Sequence, residues 1–316
     1  MNRRLVLFCV ACALLLGCAP FVGTTVVTPS DGFVFWFLRV PRVAVGAMVG
    51  AVLALVGAVF QLVFANPLAT PSTIGTTAGA TLGALAALVA GVPALAGGIP
   101  LVTLFAFAGA LGTSFLVAAV AARGLASMHD VLLAGIAASL GATAVATGLQ
   151  YAADMQALFA VTQWSLGHLS QVGYRGVLLL LPFTAITILL LFSLTRALQT
   201  LAGGDDLAAA QGVKVRSVRT VALGTGALGV AACVAWCGPI AFVGLIVPHI
   251  TRLLFGPTAR RLLPLSALAG SAFLVACDAL ARVVLPGREL PVGVLTAALG
   301  APALVGLLAR RRHPGQ

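Results

Sequence analysis

Side chains that could carry out chemistry are few in this sequence of 316 residues, because only 8 % of the residues are charged. Neither the GxSxG motif of serine hydrolases nor the HExxH motif of zinc proteases occurs. The single lysine, Lys214, follows a valine, whereas a phosphate-binding loop carries Gly-Lys-Ser/Thr. The sequence therefore predicts no catalytic residue, no metal and no cofactor. A solute moved uphill would have to draw on an ion gradient or on the nucleotide of another polypeptide.

Ionisable residues inside apolar segments suggest a second kind of chemistry, because ion-coupled carriers bind their ion with such groups. Asp130 and Asp154 lie near segment ends, where water reaches them. Asp278 lies inside an apolar segment, and Arg282 follows four residues later on the same helical face. This spacing favours an ion pair that neutralises both groups. A secondary carrier that uses Asp278 as its coupling site is the alternative.

The cysteines and histidines give no sign of a metal centre. All six cysteines lie in apolar stretches, without a histidine at ligand spacing, so we interpret them as small buried apolar residues. The four histidines are scattered over different segments: His129, His168, His249 and His313.

Composition identifies the elements that must position these residues. Hydrophobic residues make up 61 % of the chain, against about 45–50 % in soluble domains, and a helix needs about 20 apolar residues to cross a membrane. We therefore predict an all-α, polytopic membrane protein with about ten transmembrane helices, in a single domain over residues 1–316. Glycines such as Gly46, Gly50 and Gly57 are spaced to let helix backbones approach closely. The apolar segments are Leu5–Val22, Val43–Ala65, Ser72–Gly91, Ile99–Ala122, Asp130–Tyr151, Gly176–Arg196, Thr220–Cys237, Pro239–Leu254, Leu262–Ala281 and Val292–Ala309.

The positive charges predict an orientation rather than a nucleic-acid partner. The net charge is +11, but the 18 lysines and arginines lie almost entirely in short gaps between apolar segments. With both termini in the cytoplasm, 13 of these 18 residues lie inside and five outside, as the positive-inside rule requires. The eighth segment, Pro239–Leu254, is short and contains Pro248, so it is expected to be bent or to span incompletely.

The first segment allows two interpretations. Arg3 and Arg4, the apolar run Leu5–Leu16 and the pair Gly17-Cys18 resemble a cleaved lipoprotein signal. A retained first span is the favoured interpretation, because the apolar character continues through Val22.

One gap on the predicted inner side, Ala202–Arg219, is long and polar. It predicts a short helix that Asp205 or Asp206 caps and that Gly212 ends in a left-handed conformation. Such a helix is either a membrane-surface element or a docking element for a soluble partner.

Five arginines lie on the predicted outer side, against the general bias. Arg39 and Arg42 precede the second segment, and Arg282, Arg288 and Glu289 precede the tenth. These cations either extend towards lipid phosphates or receive carboxylates of a soluble partner that docks from outside.

A series of motifs extends from Arg39 to Leu308. The strongest runs without interruption from Gly238 to Arg252. The motif residues include Gln61, Asn66, Pro67, Gly238, Pro239, Gly244, Pro248, His249, Arg252, Asp278, Glu289 and Pro291. In the order and spacing of these motifs the chain resembles the FecCD-type permeases of bacterial ABC importers, which bring in iron-siderophore complexes, haem or vitamin B12.

The resemblance implies an ABC type II importer permease fold in the bacterial cytoplasmic membrane. It implies a dimer with a second permease copy, either identical or a paralogue, around a central path that the segments Asp130–Tyr151 and Val292–Ala309 line. Two ATPase subunits below and an extracytoplasmic substrate-binding protein above complete the transporter. On this basis the chain is a transport subunit rather than an enzyme.

Site residues follow from the same resemblance. The segment from Gly204 to Gly212 looks like the family's coupling loop, although it carries aspartates in place of glutamates and Gln211 in place of leucine. Arg39, Arg42 and Arg282 fall where such permeases present arginines to the binding protein. The implied ATPase-coupling residues are Gly204, Asp205, Asp206, Ala208 and Gly212.

The substrate and two other classes of function stay open at this stage. An iron-siderophore complex is the first choice because it dominates the family, and haem and cobalamin follow. A secondary carrier would use Asp278, and a structural or sensory subunit would bind partners without transporting anything.

Overall fold

A computed structural model describes residues 3–23, 28–92, 95–96, 99–122, 128–170, 172–285 and 287–311. Within these residues the fold is helical, apart from a hairpin in which Leu95–Ala96 (β1) pairs antiparallel with Ile99–Pro100 (β2). The α-helices are α1 (Arg3–Cys18), α2 (Val40–Val63), α3 (Thr76–Val89), α4 (Leu101–Ala122), α5 (Met128–Ala152), α6 (Met155–Ser165), α7 (Arg175–Ser193), α8 (Thr195–Leu201), α9 (Asp205–Ala210), α10 (Val215–Cys237), α11 (Val243–Phe255), α12 (Ala259–Ala281) and α13 (Val292–Arg311).

The predicted membrane segments correspond to helices. Among the described residues, seven helical stretches are long and apolar enough to cross a membrane, and three further apolar helices are shorter. Together these ten stretches match the ten predicted segments one for one. The long stretches are Arg3–Phe21, Val34–Val63, Leu101–Val120, Met128–Ala152, Arg175–Ser193, Val215–Cys237 and Ala259–Ala281, and the shorter ones are Thr76–Val89, Val243–Phe255 and Val292–Gly306.

Two of the short helices begin later than the sequence predicts. The third segment starts as a 3-10 turn, Pro71–Ile74, and Gly75, with a left-handed φ of 80°, separates this turn from α3. The eighth begins only at Val243, because Phe242 takes a left-handed φ of 66° that no helix continues through. Its 13 residues extend about 20 Å, short of the ~30 Å hydrocarbon core.

Several further helical elements, among them the 3-10 helix Pro29–Asp31, were not predicted from the sequence. Val34–Arg39 is a π-helix that leads into α2. Helix α6 lies between two predicted spans. Helix α8 follows α7 directly and is separated from it by Leu194. The aromatic side chains Phe33 and Phe37 stack along the π-helix with their ring centres 5.5 Å apart.

The core forms around α2, whose apolar stretch is 83 % buried, and glycines set the distance to its neighbours. A Cβ added at Gly57 would lie 1.8 Å from the carbonyl oxygen of Gly244 in α11, and one at Gly50 would lie 2.2 Å from that of Gly270 in α12. The predicted close approach of helix backbones is therefore present, and it places the start of α2 beside the end of α12.

The cysteines are free thiols in this fold. Cys9 and Cys12 in α1 have two residues between them, a spacing that metal and dithiol motifs also use and that our reading of the cysteines from the sequence missed. Within the described residues no group of three or more histidine, cysteine, aspartate or glutamate side chains could hold a metal ion.

Candidate functional site

An ion-pair cluster forms where the start of α2 meets the end of α12. Arg42 binds Asp278 through Nε, 3.0 and 3.1 Å from the two carboxylate oxygens, and through Nη2 at 2.9 Å. Its Nη1 donates to Glu289 Oε2 at 2.7 Å. The Asp278 side chain is only 2 % exposed, whereas that of Glu289 is 52 % exposed. Arg42 therefore holds one buried and one accessible carboxylate.

Arg282 approaches the same aspartate from within its own helix. Its Nε lies 3.3 Å from Asp278 Oδ2, so the ion pair expected from the four-residue spacing is confirmed. Nη2 donates to the Ala19 carbonyl at 3.2 Å, and Nη1 is a buried donor without an acceptor. Arg282 is 2 % exposed, so it lies behind the surface, whereas a docking role requires a surface position.

Arg39 completes the cluster from the π-helix. It is half-buried, and its Nη1 donates to the Val22 carbonyl. The three arginines that the sequence grouped are thus close together, but Arg42 and Arg282 are engaged with Asp278. The contribution of Arg42 to Asp278 was missed, because 236 residues separate the two and no local pattern connects them.

A cavity of about 360 Å³ opens beside Arg42 and Glu289. His168, Trp164, Gln163 and Ser170 supply its other polar and aromatic groups. The backbone N–H of His168 donates to the Cys237 carbonyl at 2.7 Å, which fixes this loop to the end of α10. Burial, and then the nearby Arg42 charge, lower the pKa of His168. At neutral pH the cavity therefore presents a neutral imidazole.

The predicted short helix is α9, near the opposite end of α10. Its first residue is Asp205 and its N-cap is Gly204, with φ 109° and ψ 158°, so the prediction that an aspartate caps it is wrong. Only glycine reaches this backbone conformation readily, and the helix therefore starts directly after it. Both aspartates lie in the first turn, where they favour the positive helix end. Gly212 has the predicted left-handed φ, 79°.

The two faces of α9 differ in burial. Ala208 is fully buried against the protein, whereas Leu207, beside it in the sequence, is 50 % exposed. Leu207 was not singled out from the sequence, because the pattern predicted the helix but not which of its faces is covered. A large apolar side chain that is half exposed on a short helix is a suitable contact for a soluble partner.

Arg219, in the first turns of α10, holds α9 in place. Its Nη1 and Nη2 donate to the two Asp205 carboxylate oxygens at 2.7 Å each. This bidentate geometry is the strongest form of ion pair that the two side chains can make. It fixes α9 to α10, so a force on α9 is transmitted to α10.

We expect Asp205→Asn to loosen α9 by up to about 1 kcal/mol, the value of a good exposed ion pair, since Asp205 is 55 % exposed. Hydrogen–deuterium exchange of the amides in residues 203–213 measures the effect, as faster exchange. Asp206→Asn is the matched control. It removes the same first-turn charge, at a residue for which the structure records no ion pair within the described part. Equal rates of exchange in the two variants would contradict the proposal that the Asp205–Arg219 ion pair holds α9 in place.

The remaining motif residues hold α11 and its neighbours. Gln61 Nε2 donates to the Leu245 carbonyl at 3.2 Å, and Gln61 Oε1 accepts a hydrogen bond from Arg252 Nη2 at 3.1 Å. Gln61 therefore joins the end of α2 to α11. Asn66 Oδ1 accepts from the Leu68 N–H at 2.9 Å in the turn that contains Pro67. A structural role therefore fits Gln61, Asn66 and Arg252.

Most of the other motif residues determine the course of the chain. Gly238 has a φ of 73°, and a Cβ there would lie 2.2 Å from the Trp164 carbonyl oxygen. Pro239 follows it in the extended entry to α11, Pro248 and His249 lie within that helix, and Pro291 precedes α13 and lines the cavity beside Arg42.

Helix α5 leaves a long face uncovered. Leu133, Ile136 and Leu140 are each more than half exposed. The hydroxyl groups of Thr143 and Thr147 on this helix donate to the carbonyls four residues earlier, at 2.8 and 2.9 Å. Because these donors are satisfied within the helix, the face has few groups that would bind a solute tightly.

Comparison with known proteins gives matches over most of the chain. The sequence model of the FecCD transport family matches residues 5–310. The chain is 39 % identical over 275 residues to the cobalamin import system permease protein of Halobacterium salinarum, covering 87 % of this chain and 73 % of that protein. It is 36 % identical over 208 residues to the hemin transport system permease protein of Yersinia pestis, covering 66 % and 62 %.

Other relatives are matched over a shorter length. Identity to the Fe(3+) dicitrate transport system permease protein FecD of Escherichia coli is 45 % over 149 residues, or 47 % of each protein. The chain thus spans about half of that relative. One solved structure is described as an inward-facing conformation of a transporter assigned to the metal-chelate ABC type. It superposes with a TM-score of 0.85 and 30 % identity, over 96 % of this chain and 98 % of that one.

Proposed function

Because the chain belongs to the FecCD transport family, we propose that it is the membrane permease subunit of an ATP-driven importer and forms the path for an iron-siderophore complex. The observation that carries this proposal is the family match over residues 5–310. It is supported by α9, a short helix with an exposed leucine, on a chain whose sequence has no phosphate-binding loop. The permease is then a transport subunit, and two separate ATPase subunits hydrolyse the ATP.

The proposed coupling runs through α9. An ATPase subunit contacts Leu207 on the exposed face, and the Asp205–Arg219 ion pair passes the movement to α10. Helix α10 reaches across the bundle to Cys237, which is bonded to the loop of His168. A displacement of α9 therefore moves α10, whose other end lies beside the ion-pair cluster. In this way the cytoplasmic end and the outer end of the permease move together.

The path itself is proposed to lie between two permease copies, identical or paralogous. In this proposal the exposed face of α5 and the exposed residues Val294, Leu299 and Val305 of α13 face the second copy across the path. The hydroxyl groups of Thr143 and Thr147 in α5 are bonded to carbonyls of their own helix, so they are not free to bind a solute tightly. Weak contacts suit a wide route, since tight sites would retain a bulky solute.

The binding protein is proposed to dock at the ion-pair cluster, on the extracytoplasmic side of a bacterial cytoplasmic membrane. Both termini are then cytoplasmic, in agreement with the positive-inside bias. Arg39 and Arg42 are partly buried and are the cations of the cluster that a partner can reach, whereas Arg282 is buried and pairs with Asp278.

The ion-coupled carrier has weaker support. A coupling carboxylate has to bind and release its ion during each cycle. Asp278 is 2 % exposed and pairs with Arg42 and Arg282 simultaneously. Binding a proton or a metal ion there would take from these two arginines the buried carboxylate that they share, which is costly.

Proteoliposomes test the proposed function. Vesicles that contain this permease and its ATPase subunits, with ATP inside and the binding protein outside, are expected to accumulate ⁵⁵Fe supplied as a ferric hydroxamate. Vesicles with the permease alone are expected to accumulate none. Uptake by the permease alone that an uncoupler abolishes would establish the carrier instead. Unlabelled haem and cobalamin, added as competitors, test the substrate class.

A further inference from the structure

We propose that Glu289 occupies a carboxylate-binding site within the permease and that an acidic side chain of the docking binding protein replaces it there. This inference rests on the docking role proposed above. To that role it adds two features: Glu289 competes with the binding protein for Arg42, and the cavity beside Arg42 receives the carboxylate of the binding protein.

The geometry of Arg42 gives it one permanent and one exchangeable ligand. The Nε and Nη2 edge of the guanidinium faces Asp278, whose side chain is 2 % exposed and cannot leave without stranding a buried charge. The remaining Nη1 faces Glu289, which is 52 % exposed. Within the described residues Glu289 makes this single ion pair, so water can solvate it as soon as it turns away.

Space and polar groups for an incoming carboxylate lie next to this contact. The cavity of about 360 Å³ is lined by Arg42 and Glu289 together with His168, Ser170 and Gln163. The hydroxyl and amide groups offer donors to a carboxylate bound at Arg42 Nη1. An aspartate or glutamate side chain is small enough to enter a cavity of this size.

The charge balance favours such an exchange. The cluster contains three arginines and two carboxylates, which leaves a net charge of +1. This excess positive charge attracts the carboxylate of an incoming partner. If Glu289 moves into water while the partner's carboxylate enters, the cluster keeps its balance and the interface gains the contact.

The exchange predicts that Glu289 lowers the apparent affinity for the binding protein, because the competent site is vacant for only part of the time. Neutralising it by Glu289→Gln is expected to strengthen binding about threefold to tenfold. The measurement uses the assembled transporter in phosphatidylcholine nanodiscs, which carry no anionic lipid. The probe is the binding protein encoded with it, labelled with a fluorophore, and the equilibrium affinity is read from anisotropy.

The matched control is Asp31→Asn, which removes an exposed carboxylate from the segment leading into α2. Asp31 accepts hydrogen bonds from Thr28 and has no recorded contact with Arg42 within the described residues. If Glu289 acts through the contact, Glu289→Gln strengthens binding at least threefold more than Asp31→Asn does. Equal gains would overturn the proposal, because they would reflect only the general charge of the surface.

A second background separates this inference from the proposed docking role. Arg42→Gln combined with Asp278→Asn removes both members of the buried ion pair together, so that no buried charge is left alone. Size-exclusion chromatography confirms assembly of this transporter. On this background Glu289→Gln is expected to have no effect, and a persisting gain would overturn the exchange. If the double variant itself binds the binding protein as tightly as the wild type does, the proposed docking role of Arg42 is wrong. If the double variant binds weakly and Glu289→Gln changes nothing in the wild type, the docking role stands and only the proposed replacement of Glu289 by a partner carboxylate is wrong.

Discussion

The Gly57→Ala permease is expected to lose more than about 3 kcal/mol of stability and most of its folded yield. A Cβ at position 57 would lie 1.8 Å from the carbonyl oxygen of Gly244 and 2.7 Å from its Cα. These are backbone atoms, so no flexible side chain can move aside, and α2 and α11 must separate. Because α2 lies at the centre of the core, the displacement extends to α12 and α7. Fluorescence-detected size exclusion after heating measures the fall in melting temperature.

Gly224→Ala is the control for this prediction. Gly224 lies within α10, and a Cβ there would meet no atom within 4 Å. Alanine is favoured over glycine in a helix interior by about 0.5–1 kcal/mol, so this variant is expected to be as stable as the wild type or more stable. A Gly57→Ala protein that melts together with the Gly224→Ala protein would contradict the backbone contact between α2 and α11.

The membrane helices could be predicted because their signal is local. A run of about 20 apolar residues defines a span without reference to any other part of the chain, and all ten predicted segments contain an apolar helix. The spacing of Gly50 and Gly57 likewise predicted that helices approach closely. It could not predict the partners, Gly270 and Gly244, because any helix of the bundle could have supplied them.

Helix starts were less predictable where tertiary contacts override composition. Apolar residues continue from Pro239 into α11, yet Phe242 is left-handed and the helix begins after it. A Cβ at Gly300 of α13 would lie 2.5 Å from Phe242 side-chain atoms, so this corner is determined by packing between distant segments. A single sequence carries no local signal for such a contact.

In the ion-pair cluster too, the local contact could be predicted from the sequence and the long-range contacts could not. The Asp278–Arg282 pair follows from a four-residue spacing and was predicted. Arg42 and Glu289 join it from positions far away in the sequence or beyond the end of the helix, and only the fold brings them together. The fold also changes the interpretation of Arg282. The resemblance placed it among the docking arginines at the surface, but it is buried behind Arg42.

The Leu207→Asp permease is expected to lose at least tenfold of ATP-driven uptake, together with most of its copurifying ATPase. Leu207 is the large apolar side chain on the exposed face of α9, and Ala208 anchors the opposite face. Truncating a central contact of a protein interface typically costs about 2 kcal/mol or more, which corresponds to about a 30-fold loss of affinity. A buried carboxylate without a partner costs at least as much. Pull-down of the ATPase in detergent and ⁵⁵Fe uptake in proteoliposomes measure the two effects.

Ser217→Asp distinguishes contact at Leu207 from a general effect of negative charge. Ser217 is exposed in the first turn of α10, close to α9, and a carboxylate there favours the helix N-terminus. This variant is expected to keep both uptake and the ATPase. The detergent pull-down also decides between the two roles that the sequence allowed for α9. If α9 only rests on the membrane surface, the ATPase remains bound to Leu207→Asp once the bilayer is gone. If α9 docks the ATPase, it is lost, because the interface itself has been changed.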